Sequence, residues 1–157
     1  MSEYAVKVYW KRGSQSFIDG QYSRAHVWAF DGGACVQASS SPQIVPIPLS
    51  VEEHVDPEEA FVASLSSCHM LWFLNVAAKR DLVVDAYTDR CSGVLEKNDE
   101  DKLAVTQVLL KPAVHFSEGT VVSEALLHEM HKQAHDSCFI ANSVKTDVHV
   151  EVVIPED

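Results

Sequence analysis

A chain of 157 residues, 46% of them apolar, is long enough for one domain with a real core and short for two. Its formal net charge of −11 repels phosphate backbones and anionic lipid, which argues against nucleic acid or a membrane as a partner. The N-terminus lacks the basic and apolar regions of a signal peptide, and the longest apolar stretch, Met70 to Ala78, is interrupted by Asn75 and too short to span a bilayer. The expectation is therefore a soluble, cytoplasmic protein whose four cysteines stay reduced. Each is then either a small core residue or a reactive group, not part of a disulfide framework.

Residues 4–10 alternate and predict a strand. Asp19-Gly20 marks a turn before a second strand over Tyr22 to Phe30, and Asp31-Gly-Gly33 turns the chain into a hairpin partner over Cys35 to Ser39. Prolines 42, 46 and 48 exclude helix and central strand from the next segment, which reads as an extended, ordered loop anchored by Ile44, Val45 and Ile47.

Asp56-Pro57-Glu58-Glu59 opens a helix. Asp56 can cap, proline suits the first turn, and the two acids match the positive end of the helix dipole. The helix should run to Lys79-Arg80 and be central and mostly buried, with Phe61, Leu65, Cys68, Trp72 and Asn75/Val76 forming its inward stripe. Residues 82–96 and 103–116 read as two long strands around the polar turn 96–102, with Pro112 implying an edge or a bulge. A second helix should start at a Ser123 cap and end near Asp136, and Val144 to Ile154 alternates as a last strand. With no repeat and no linker, residues 1–157 form a single α+β domain in this reading.

Chemistry concentrates at two cysteines seventy positions apart, Cys68 in the first helix and Cys138 after the second. A cysteine in mid-helix is ordinarily inert packing. Ser66 and Ser67, however, make the turn before Cys68 polar, and Glu58 and Glu59 place acids beside a core face. If both helices bury one face in the same core, the thiols can meet and support two-step redox chemistry. A reactive thiol needs a cation that favours the thiolate, and Arg24 is the best candidate because an arginine keeps its charge when desolvated. Cys35, after Gly32-Gly33, and Cys91, between Arg90 and Ser92, lie on predicted strands with neither a polar helical context nor a charge constellation and are assigned to structure. His128, His131, His135 and Cys138 have a spacing open to metal or small-ligand binding, yet no HExxH motif or second ligand pair accompanies them, so a solvated or half-buried histidine face is the preferred reading.

The run from Asp56 to Cys68 resembles the helix-opening motif of the OsmC/Ohr family of thiol-dependent peroxidases, and His135-Asp-Ser-Cys-Phe-Ile-Ala-Asn-Ser-Val144 is similar to that family's second cysteine motif. The order strands, long helix, hairpin, helix, strand matches as well, so the resemblance covers almost the whole chain. It implies antiparallel sheets with two helices, and an intertwined homodimer. It implies four catalytic residues: Cys68 as the peroxidatic cysteine, Cys138 as the resolving cysteine, Glu58 as the essential carboxylate ten residues before Cys68, and Arg24 as the essential arginine. Organic hydroperoxides would be reduced to alcohols, with hydrogen peroxide as an open second substrate, and an external dithiol would close the cycle; in this family lipoyl groups on partner proteins can serve. No cofactor or metal is implied. Phe30-Asp-Gly-Gly33 and Ile-Ala-Asn-Ser-Val look more like the OsmC-like branches than the Ohr branch. Phe61, Trp72 and Phe139 are expected to line an apolar pocket. The alternatives are a slow thiol redox sensor, which shares the chemistry, and a binding protein built on His128, His131, His135 and Cys138.

Overall fold

The computed structural model describes residues 1–154; the last three residues of the expected 1–157 domain lie outside them. The chain forms two compact units, Met1–Ala60 and a second beginning at Phe61.

In the N-terminal unit, β1 (Val6–Tyr9), β2 (His26–Phe30) and β3 (Cys35–Ala38) form an antiparallel sheet in that order. Val8 pairs with Trp28, and Val27 with Gln37. The β2–β3 turn closes where Gly33 adopts φ +91°, a conformation that side chains with a Cβ rarely take. The second strand is shorter than its alternation predicts. Residues 22–25 place their hydrogen bonds outside any ladder: Arg24 N donates to Leu49 O at 2.7 Å, and Ala25 N to Ser23 Oγ at 3.1 Å. The proline-rich segment forms hydrogen-bonded turns where an extended loop was expected, and of its three expected anchors Ile44 and Ile47 are exposed and Val45 is half-buried. Asp56 and Glu59 then close a reciprocal capping box, Glu59 N donating to Asp56 Oδ1 at 2.8 Å and Asp56 N to Glu59 Oε2 at 3.3 Å. It starts α1 (Pro57–Ala78), inside which the boundary between the two units falls.

The second unit continues α1 and adds β4 (Val84–Asp89), β5 (Ser92–Lys97), β6 (Leu103–Leu110), β7 (Pro112–Phe116), α2 (Glu124–Ser137), a short 3-10 turn (Ala141–Ser143) and β8 (Asp147–Val150). The two long strands predicted for this region are four. They break at Arg90-Cys91 and at Lys111, where Asp89 accepts Lys111 N at 2.6 Å with one carboxylate oxygen and the Ser66 hydroxyl with the other. The base of the hairpin becomes the β4–β7 pair; its tip, β5–β6, joins β8. The β6–β8 pairing is parallel, a departure from the antiparallel expectation that arises because β8 returns after α2 in the direction of β6. Ser123 caps α2 as predicted, its Oγ accepting Leu126 N.

Two apolar clusters hold this unit together. Phe73 and Ala77 of α1 pack with Val114, Leu127, Met130 and Ala134; Leu65 packs with Val108 and Leu110. Burying a side chain such as Phe73 stabilises the fold by roughly 1.5–3 kcal/mol. The inward stripe of α1 is Leu65, His69, Phe73 and Ala77, not the predicted Phe61, Cys68 and Trp72, which are only half-buried, while Asn75 is exposed. The reason is His69, a polar residue that the apolar pattern skips and the core accepts. Leu71 is 60% exposed, so α1 within this chain is buried on one face only. Its 22 residues are also long and apolar enough, by length and composition alone, to cross a membrane, which the reading of Met70–Ala78 in isolation had excluded. Gly93 of β5 lets the sheet approach α1 closely: a Cβ there would lie 2.7 Å from Val62 Cγ2.

Candidate functional site

Cys68 and Cys138 meet. Cys68 sits midway along α1, half-buried; Cys138 follows the last turn of α2 as its C-cap and is buried. The Cys138 side chain lies beside that of Cys68, near enough for the two thiols to influence each other. Burial first, and the neighbouring Cys68 thiol second, push Cys138 up to about 11, only partly offset by the Ala141 N–H that points at its sulfur from 3.4 Å. Cys138 therefore keeps its proton at neutral pH, while Cys68 is the thiol that solvent and small molecules can reach.

The motif around Cys138 has a local physical reason. Cys138 N bonds back to His135 O, Asn142 N to Cys138 O at 3.0 Å, Asn142 Nδ2 to Asp136 O, and the Ser143 hydroxyl to Phe139 O. These bonds fold residues 138–143 into a tight turn that fixes the sulfur. On α1, the Ser66 hydroxyl, two residues before Cys68, is tied to Asp89. Trp72 meets Phe139 edge-on at 5.4 Å, and Phe139 is 67% exposed. Phe61 instead packs on the Leu65 cluster, so the three aromatics expected in one pocket divide between two settings.

Arg24 and Glu58 both line a cavity of about 480 Å³ within the N-terminal unit. The Arg24 guanidinium lies 3.8 Å over the Tyr22 ring, and its Nη1 donates to Gly20 O at 2.8 Å and to Tyr22 O. Among the described residues Arg24 makes no ion pair with a carboxylate, Glu58 included; carbonyls and a ring hold it in place. The walls are aromatic: Trp10, Phe17 and Tyr22 form a cluster with centroids 4.8–6.0 Å apart. His26, also on this cavity, accepts the Trp28 indole N–H at Nε2, so its Nδ1 carries the proton given to Arg24 O. Pattern reading missed this aromatic cluster because it placed Trp10 and Tyr22 in strands, whereas both lie, with Phe17, in irregular backbone between β1 and β2.

The histidines of α2 part company. His128 is exposed beside Glu124, His135 is half-buried, and His131 is 2% exposed. With His149 they border a groove of about 250 Å³ that does not include Cys138. His131 turns inward: its Nδ1 lies 3.0 Å from Nε2 of His69, itself 1% exposed, with the rings within 4° of parallel. Burial holds both rings neutral, His69 lowered to about 4 and His131 to about 3. Among the described residues no three His, Cys, Asp or Glu side chains come together as a metal site. The physical reason is that His131 and Cys138 are each committed to a partner on α1.

The family model described as OsmC-like protein matches residues 51–153. An OsmC-like protein of unknown function from Vibrio cholerae O1 biovar eltor is 55% identical, with a TM-score of 0.96 over 98% of this chain and 100% of that one. At 13% identity the fold alone is shared with two organic hydroperoxide resistance proteins. The one from Legionella pneumophila has a TM-score of 0.70 over 99% of this chain and 98% of that one. The one from Elizabethkingia anophelis has a TM-score of 0.70 over 99% of each. No functionally curated protein matches the chain. The match over most of the chain, with the close identity to the Vibrio protein and the α+β architecture already described, places it: the chain belongs to the OsmC-like family.

Proposed function

We propose that this protein is a thiol-dependent peroxidase that reduces organic hydroperoxides. The observation that supports it most is the juxtaposition of a buried Cys138, which keeps its proton, with a reachable Cys68. The Cys68 thiolate attacks a peroxide oxygen; the O–O bond breaks, an alkoxide leaves and takes up a proton, and Cys68 becomes a sulfenic acid. The Cys138 thiol condenses with it, forming the disulfide and releasing water. An external dithiol then exchanges with the disulfide and is itself oxidised, restoring both thiols.

In this proposal Arg24 is the cation that favours the Cys68 thiolate and Glu58 the carboxylate that accompanies it, roles carried over from the family motif. The held guanidinium is consistent with such a part, since an arginine with its position already fixed loses little freedom when it binds. The working form is a homodimer. Val6, Val8, Leu71 and Phe139 are exposed apolar side chains of the kind that a second copy covers. The cytoplasm, where dithiols are reduced, is the compartment such a cycle needs.

The test is turnover of an organic hydroperoxide with a reduced dithiol in excess. Steady consumption by the protein, lost in Cys68→Ser, is the expected result. Turnover that survives Cys68→Ser would place the chemistry elsewhere.

A further inference from the structure

The two cysteine-bearing helices are joined by two polar rungs, and only one of them has a role in the reaction proposed above. The first is Cys68–Cys138. The second is His69–His131, one residue along α1 from Cys68 and seven residues, two helical turns, before Cys138 on α2. Both rings are buried, and one N–H···N bond of 3.0 Å joins them.

Packing alone does not account for this pair. The outer nitrogens, His69 Nδ1 and His131 Nε2, are buried without a hydrogen-bond partner among the described residues, and so is the neighbouring Tyr87 hydroxyl. Buried polar atoms left unpaired cost stability that two apolar side chains of similar size would not. His131 already stacks on Phe73 at 4.3 Å, a site where a phenylalanine would fit. What an apolar pair lacks is direction. A single hydrogen bond between rings within 4° of parallel fixes how far α1 and α2 slide and turn against each other at the position where the thiols must meet.

We propose that His69 and His131 are positioning residues for the disulfide: their bond sets the register of α1 against α2 so that Cys68 and Cys138 lie within bonding reach. The inference rests on Cys68 and Cys138 forming the working disulfide.

The experiment is the equilibrium between the protein and dithiothreitol at pH 7. Two protein thiols plus oxidised dithiothreitol give the Cys68–Cys138 disulfide plus reduced dithiothreitol, and the constant measures how well the fold presents the two sulfurs to each other. Three proteins are compared: the wild type, His69→Phe, and the double variant His69→Gln with His131→Asn, whose amides retain a donor and an acceptor near the positions of Nε2 and Nδ1. The expected order is a constant within about threefold of wild type for the amide pair and a fall of about tenfold or more for His69→Phe. A packing role predicts the reverse order, because phenylalanine fills the space and amides do not, and that result would overturn the inference. If His69→Phe fails to fold, the amide pair decides alone, and a tenfold fall there counts against the proposal. A wild type that forms no disulfide at all overturns both this inference and the peroxidase reading, whereas a wild-type disulfide with the reversed order overturns only this one.

Discussion

Cys138 is buried beside a half-buried Cys68, so the two sulfurs at the α1–α2 contact are chemically unequal although both are free thiols. The buried member is held protonated and the half-buried member is accessible. That asymmetry assigns different fates to the two cysteines under oxidation. Cys138→Ser should still lose one thiol to an organic hydroperoxide and then stall, with a sulfenic acid trapped on Cys68 by dimedone and seen by mass spectrometry. A Cys138→Ser protein that cycles like wild type would remove the resolving role.

Arg24 is expected to act on Cys68 through charge. Arg24→Met should slow the alkylation of Cys68 at neutral pH by about tenfold. The check is the rate of iodoacetamide labelling of Cys68 against pH. Superimposable curves for wild type and variant would show that another group favours the thiolate.

The histidine pair makes stability pH-dependent in a known direction. Both folded-state values are depressed, His69 to about 4 and His131 to about 3, chiefly by burial, against about 6.5 in the unfolded chain. No carboxylate offsets the burial: His135 on α2 disfavours charge on His69, and His69 and His128 disfavour it on His131. Above pH 6.5 both states are neutral and the pair's contribution is intact. As pH falls from 6.5 toward about 4 the unfolded chain takes up two protons that the folded chain does not, so stability should decline by up to about 1.4 kcal/mol per pH unit for each ring. Urea denaturation at half-unit pH steps measures the slope. Replacing His69 by Gln and His131 by Asn should flatten it by about two protons; an unchanged slope would mean that other groups titrate.

Gly93 answers to sterics alone. A methyl group there would sit 2.7 Å from Val62 Cγ2 and 3.3 Å from Val105 Cγ1, so Gly93→Ala should destabilise the fold by about 1–3 kcal/mol. The denaturation midpoint reads it. Val62→Ala in the same chain should recover part of the loss, since it removes the nearest clashing atom.

Features carried by local rules were legible in the sequence. Alternation marked β1, Asp56 announced the cap of α1 and Ser123 that of α2, because each depends on neighbours within a few residues; the reciprocal bond from Asp56 N to Glu59, read in the sequence only as a charge suited to the helix dipole, came with the fold. The break of the long hairpin was not legible, since it depends on Asp89 reaching Lys111 and Ser66, twenty-two and twenty-three positions away. Nor was the parallel β6–β8 pairing, a choice of partner made by the whole topology. The predicted stripe on α1 slipped by one position because His69 was counted as polar and Cys68 and Trp72 as core. A histidine can enter a core when another histidine meets it, and His131 stands sixty-two positions away. The cysteines were legible as a pair that could meet; the contact itself and the inequality of the two thiols are products of the fold.

The most direct test of the central claim is a thiol count with a peptide map before and after one equivalent of an organic hydroperoxide. The account predicts rapid loss of two thiols and a single new peptide linking Cys68 to Cys138, with Cys35 and Cys91 still free. Four thiols remaining, or a disulfide that joins any other pair, would contradict it.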